Sequence, residues 1–167
     1  MEEYHRTTTS QLCHFKAASM AEFFIPVPYI SHLSEKLEPG RILVVSGDTA
    51  TNAKRFAINL TLDTPQNELS NIALHFNVRF DEKKIVMNSK QNGEWGKEER
   101  ISNPYKPGGK FDIRIRAHEN HFEMIVEQKK VHEYKYRLPL GSIRFLDIHG
   151  DCMLGAVHHL WLRISVI

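Results

Sequence analysis

Ile72-Ala73-Leu74-His75-Phe76-Asn77-Val78-Arg79-Phe80 decides the fold. Its even positions, Ile72, Leu74, Phe76, Val78 and Phe80, are apolar; Ala73, His75, Asn77 and Arg79 alternate with them. Successive side chains of a strand point to opposite faces, so this stretch reads as a strand with one face on a core and one toward water. Phe111-Asp112-Ile113-Arg114-Ile115-Arg116-Ala117 alternates in the same way. Outward from these two, β-rich runs occupy 55–62, 85–89, 97–101, 121–127, 130–136, 143–149 and 160–166, and Ile42-Leu43-Val44-Val45 is a further apolar run. Turn residues separate them: Pro39-Gly40, Gly47-Asp48, Asp63-Thr64-Pro65, Gln91-Asn92-Gly93, Pro107-Gly108-Gly109, Glu119-Asn120 and Pro139-Leu140-Gly141. No stretch carries the period of an amphipathic helix. The pattern is that of an all-β sandwich or barrel.

The chain has 167 residues, enough for one ordinary domain. Residues 1–21 are polar and threonine-rich, and read as an N-terminal extension; residues 22–167 carry the domain. A hydrophobic share of 41 % supplies one core, and no run approaches membrane-spanning length. The 22 basic and 20 acidic residues are interspersed, without the basic stripe that a nucleic-acid binder would concentrate. No apolar signal core follows Met1, so the expectation is a cytoplasmic chain whose Cys13 and Cys152 stay reduced. Asn59-Leu60-Thr61 spells a glycosylation acceptor that such a chain leaves unused.

Alternation projects His75, Asn77 and Arg79 together from the solvent face, about 7 Å apart at each step. A single histidine or asparagine on such a face is ordinary polar surface. A row of imidazole, amide and guanidinium is a set of donors and acceptors for one polar ligand. Asp81-Glu82-Lys83-Lys84 makes a short hairpin connection, which lays Ile85-Val86-Met87-Asn88-Ser89 beside the row and brings Asn88 near it. Beyond the next turn, Glu98 and Arg100 share one parity. Trp95 has the other, so it joins them only if the chain bends or bulges near Gly96. Asp81 and Glu82 are candidate partners for Arg79 or Arg100. Lys83, Lys84, Lys97 and Glu99 read as solvated surface.

His75-x-Asn77-x-Arg79, Val86-x-Asn88 and Trp95-Gly96-x-Glu98-x-Arg100 resemble, in order and spacing, the carbohydrate-recognition signature of the galectins. Pro28-Tyr29, Arg55-Phe56-x-Ile58-Asn59-Leu60 and Ile148-x-Gly150-Asp151 are similar to further landmarks of that family, and the likeness runs from about residue 23 to 167. Val78 stands where the family often has proline; by parity it points into the core. The resemblance implies an antiparallel two-sheet β-sandwich of jelly-roll type and a non-enzymatic lectin for β-galactosides such as lactose or N-acetyllactosamine. It implies that His75, Asn77 and Arg79 meet the axial 4-hydroxyl, that Asn88 and Glu98 meet the 6-hydroxyl, and that Arg79, Glu98 and Arg100 reach the next sugar. Trp95 would lie on the C–H face that the axial hydroxyl leaves open. It further implies a cytoplasmic protein able to leave cells without a signal peptide.

Glycoside hydrolysis needs two carboxylates flanking the bond; the pattern offers Glu98, kept ionised by arginines. His118-x-x-His121, His149-x-Asp151 and His158-His159 match no familiar zinc spacing, so neither metal nor cofactor is expected. A protein-interaction scaffold with weak or no sugar binding is the competing reading. The run 160–166 can lie at a sheet edge and pair with a second copy, making a homodimer.

Overall fold

The computed structural model describes residues 24–161. Twelve strands and one short 3-10 turn, Leu140–Ser142, make up its regular structure. They are β1 (Tyr29–His32), β2 (Arg41–Thr49), β3 (Arg55–Thr61), β4 (Ile72–Arg79), β5 (Lys84–Gln91), β6 (Glu94–Trp95) and β7 (Glu99–Ser102). They continue with β8 (Lys110–Ala117), β9 (His121–Val126), β10 (Lys129–Lys135), β11 (Phe145–Gly150) and β12 (Cys152–Trp161).

All pairings are antiparallel, and the strands form two sheets. One runs β1-β11-β3-β4-β5-β6, with β7 also on β5; the other runs β10-β9-β8-β2-β12. Ile58, Phe76, Val78 and Leu146 from the first and Val45, Ile113, Met124 and Tyr134 from the second are fully buried in one cluster between them. The fold is the expected all-β, antiparallel two-sheet sandwich, with one hydrophobic face of each sheet removed from water. Strand β8 follows its sequence pattern: Phe111, Ile113, Ile115 and Ala117 are buried, while Asp112, Arg114 and Arg116 stay partly open.

Four strand readings need correction. Tyr29–His32, just after Pro26 and Pro28 and outside the runs read as strands, forms β1 on β11. The run expected at 97–101 is two strands, β6 and β7, separated by residues 96–98. The terminal strand begins at Cys152, well before 160, because Gly155 and a register shift between Leu154 and Ala156 erase its alternation. It does lie at a sheet edge; residues 162–166 of that run, the extension 1–21 and Cys13 fall outside the described residues. Finally, Ala73 packs in the core and Ile72 does not, the reverse of strict alternation. One extra residue in β4 between Ile72 and His75, against Ser89 of β5, slips the phase there.

Candidate functional site

Register builds the candidate site as two rungs across the outer face of the larger sheet. In the first, Asp147 of β11, Asn59 of β3, His75 of β4 and Asn88 of β5 lie directly opposite one another. In the second the order is His149, Ala57, Asn77, Val86 and Arg100. Beside them Arg55 pairs with Arg79, both cationic. Ala57 and Val86 are buried yet outside the core cluster, forming the apolar floor between the polar residues.

Trp95 reaches this face as the bend at Gly96 requires. Trp95 pairs with Lys90, whereas Glu99 pairs with Met87: four steps on one strand against three on the other. The extra residue falls in the unpaired stretch 96–98 and reverses the phase, so Trp95, Glu98 and Arg100 share a side. A side chain at Gly96 would put its Cβ 2.8 Å from Arg137 Nη1 and 3.2 Å from Asn88 Oδ1. The close approach has a purpose: Asn88 Nδ2 donates to the Gly96 carbonyl at 2.9 Å, while Asn88 Oδ1 accepts from Ser89 N at 2.8 Å and Arg137 Nη1 at 3.0 Å. Asn88 therefore fastens the bulge and, among the described residues, keeps one N–H uncommitted. Trp95 stands 49 % exposed, its ring centroid 4.9 Å from that of His75.

The arginines are held by acids. Glu82 accepts from Arg79 at 3.0 Å on one oxygen and from Arg100 at 2.8 Å on the other. Glu98 accepts from Arg79 at 3.2 Å and from Arg100 Nε at 2.8 Å. Asp81 serves Arg55 instead, at 2.6 Å. Three guanidiniums and three carboxylates thus balance. The Arg100 hydrogen bond, with the charge of Arg79 added, holds the Glu98 carboxyl below the usual carboxylate range, so it has no proton to donate near neutral pH.

Each of the seven residues read from the sequence, His75, Asn77, Arg79, Asn88, Trp95, Glu98 and Arg100, comes to this one face. Asn77 Oδ1 and Arg79 Nε are buried without a hydrogen-bond partner among the described residues, an expense that a polar ligand would relieve. Burial, reinforced by the charges of His149 and Arg79, pushes the His75 imidazole down to about 4, so it is neutral over most working conditions. Glu99 is not plain solvated surface: it accepts from His132 at 2.6 Å and Arg137 at 3.0 Å, clamping β7 to the strand of the other sheet. Arg137 also lies over the Tyr134 ring at 4.9 Å. Sequence reading missed Arg137, Asn59 and Asp147. All three act through neighbours distant in sequence, and Asn59 stood out only in an acceptor tripeptide and a family landmark, without a role at the site. Among the described residues no group of three or more histidine, cysteine, aspartate or glutamate side chains is arranged to hold a metal ion. His118 and His121 stack at 4.6 Å.

A family model described as galactoside-binding lectin matches residues 28–159. The 32 kDa β-galactoside-binding lectin of Caenorhabditis elegans is 55 % identical over 80 % of this chain and 48 % of its own length. Its counterpart from Haemonchus contortus is 51 % identical over 82 % and 48 %. The chain spans about half the length of these curated relatives. Galectin-7 of Homo sapiens is 39 % identical over 78 % of this chain and 96 % of its own. A solved structure of a human galectin-16 variant superposes with a TM-score of 0.73 at 26 % identity, covering 83 % of this chain and 99 % of that one. The chain belongs to the galactoside-binding lectins, the galectin family.

Proposed function

We propose that this protein binds β-galactosides of the lactose or N-acetyllactosamine type without transforming them. The observation that carries this reading is the half-exposed Trp95 beside a row of ligand-ready polar groups, with Asn77 Oδ1 and Arg79 Nε buried and unpartnered among the described residues. The axial 4-hydroxyl of galactose enters between His75, Asn77 and Arg79, donating to one and accepting from another. Its opposite C–H face covers the Trp95 ring. The free N–H of Asn88 and the Glu98 carboxylate take the 6-hydroxyl. Arg79, Glu98 and Arg100 extend to the neighbouring sugar. A glucose epimer leaves the buried groups unpaired, at roughly 1–3 kcal/mol for each.

Cytoplasmic residence, with exit from cells by a signal-independent route, is part of the same proposal. So is pairing of two copies through the edge strand β12, which would turn weak single-site attachment into cross-linking of glycoconjugates. The test is a lactose-agarose column. Retention, with release by free lactose but not by cellobiose, is the expected result. Folded protein in the flow-through would overturn the sugar reading and favour the protein-interaction scaffold.

A further inference from the structure

We propose that Asp147 and Asn59 are positioning residues that set the tautomer of His75, leaving its Nε2 bare to accept a proton from a sugar hydroxyl. The inference rests on the sugar-binding reading above and adds its specificity. The three residues are consecutive members of one rung, on β11, β3 and β4. Asn59 Nδ2 lies 2.8 Å from Asp147 Oδ2, and Asn59 Oδ1 lies 2.6 Å from His75 Nδ1. Asp147 also receives His149 Nδ1 at 3.1 Å. Asn59 and Asp147 are 3 % and 7 % exposed, so water does not substitute freely for these partners.

The chemistry runs in one direction. Burial works to raise the Asp147 carboxyl, but the hydrogen bonds from His149 and Asn59 outweigh it and hold it below its ordinary value. An ionised carboxylate only accepts, so Asn59 must present its NH2 to Asp147. The Asn59 carbonyl oxygen is then the atom facing His75, and it too only accepts. His75 Nδ1 must therefore carry the ring proton. The imidazole is neutral, so Nε2 is an acceptor. Asn77 Nδ2 points at Nε2 from 3.1 Å, as a donor would; the ring nitrogen has one lone pair, so a bound hydroxyl takes the place of that contact.

This matters because Arg79 can only donate. A hydroxyl held between Arg79 and His75 accepts from the guanidinium and must give its own proton to the ring. With the other tautomer both Arg79 and His75 would face that hydroxyl as donors, and its proton would have to turn away from the ring toward Asn77 Oδ1. The fixed asparagine thus pre-sets the polarity of the site for a hydroxyl at that position.

Ring-nitrogen shifts of 15N-labelled protein test this, with the His75 signals assigned by their loss in His75→Gln. The parent should show a protonated Nδ1 and a bare Nε2. Asp147→Leu removes the acceptor that orders the Asn59 amide, so that amide is free to turn over and the Nε2-protonated ring should gain population. Asn59→Leu removes the acceptor and should move the ring the same way. A parent protonated at Nε2, or a tautomer unchanged in either variant, overturns the proposal. Where a variant does not fold, the parent spectrum alone decides. Lactose titration of folded variants should show affinity weakened roughly three- to tenfold, the loss of one uncharged hydrogen bond. If the parent itself ignores lactose, the sugar reading fails, while the nitrogen shifts still decide the tautomer.

Discussion

Replacing Trp95 by alanine tests the contact that carries most of the apolar area of the proposed site. The side chain is 49 % exposed. A tryptophan offers about 250 Å² in all, so about 120 Å² is open, and a sugar lying on one ring face would cover roughly half of that. An equal area of the sugar leaves water with it, about 120 Å² together, worth about 3 kcal/mol at 25 cal/mol per Å². Affinity for lactose should therefore fall about 100-fold, measured by calorimetric titration. The core is untouched, because Trp95 pairs at the sheet edge with Lys90 and, among the aromatic rings of the described residues, packs on His75 alone. Thermal melting should accordingly move little. Trp95→Phe, which keeps a ring face, should recover part of the loss. An alanine variant that melts like the parent and binds lactose within about threefold of it refutes the stacking.

Three further outcomes are expected. His75 is depressed from 6.5 to about 4, so the unfolded chain takes up its proton first as pH falls. Folding stability on this account is full above about pH 6.5 and drops by roughly 3 kcal/mol on the way to pH 4. His149 is raised by its bond to Asp147 and works the other way, contributing below its ordinary value and losing this as pH rises; comparing urea melts of parent and His75→Gln isolates the His75 part. Glu82→Gln removes the charge shared by Arg79 and Arg100; lactose affinity should fall several-fold while stability changes by less than about 1 kcal/mol. Gly96→Ala forces the Arg137 guanidinium away, which should weaken lactose binding by about tenfold through loss of the Asn88 fastening, checked by titration beside a melting curve.

Much of the fold was legible because burial on one sheet face writes itself as period two. Strands β4 and β8 show this most clearly: Phe76 and Val78 on the former, Ile113 and Ile115 on the latter, all enter the core cluster. Val78 in particular points inward where parity put it. Strands β1 and β12 were not legible in full, since β1 is four residues preceded by Pro26 and Pro28 and β12 is broken at Gly155 by its register shift. Short edge strands bury too few side chains to print a period.

The site was legible for a different reason and failed differently. Parity holds only as long as the ladder is unbroken. The site lies between two one-residue interruptions, the bulge near Ala73 and the unpaired stretch at Gly96. Inside them His75, Asn77 and Arg79 could be placed on one face by counting. Outside them counting inverts, so strict alternation puts Ala73 on the wrong face and Trp95 opposite Glu98 and Arg100. The glycine that signals the second interruption is visible in sequence; what it makes room for is not. Arg137 arrives at Asn88 from 49 residues away, and Asp147 reaches His75 through an asparagine of a third strand. The ligand-facing groups belong to local pattern, while the groups that aim them belong to the cross-strand register, and register becomes visible only once the sheet is built.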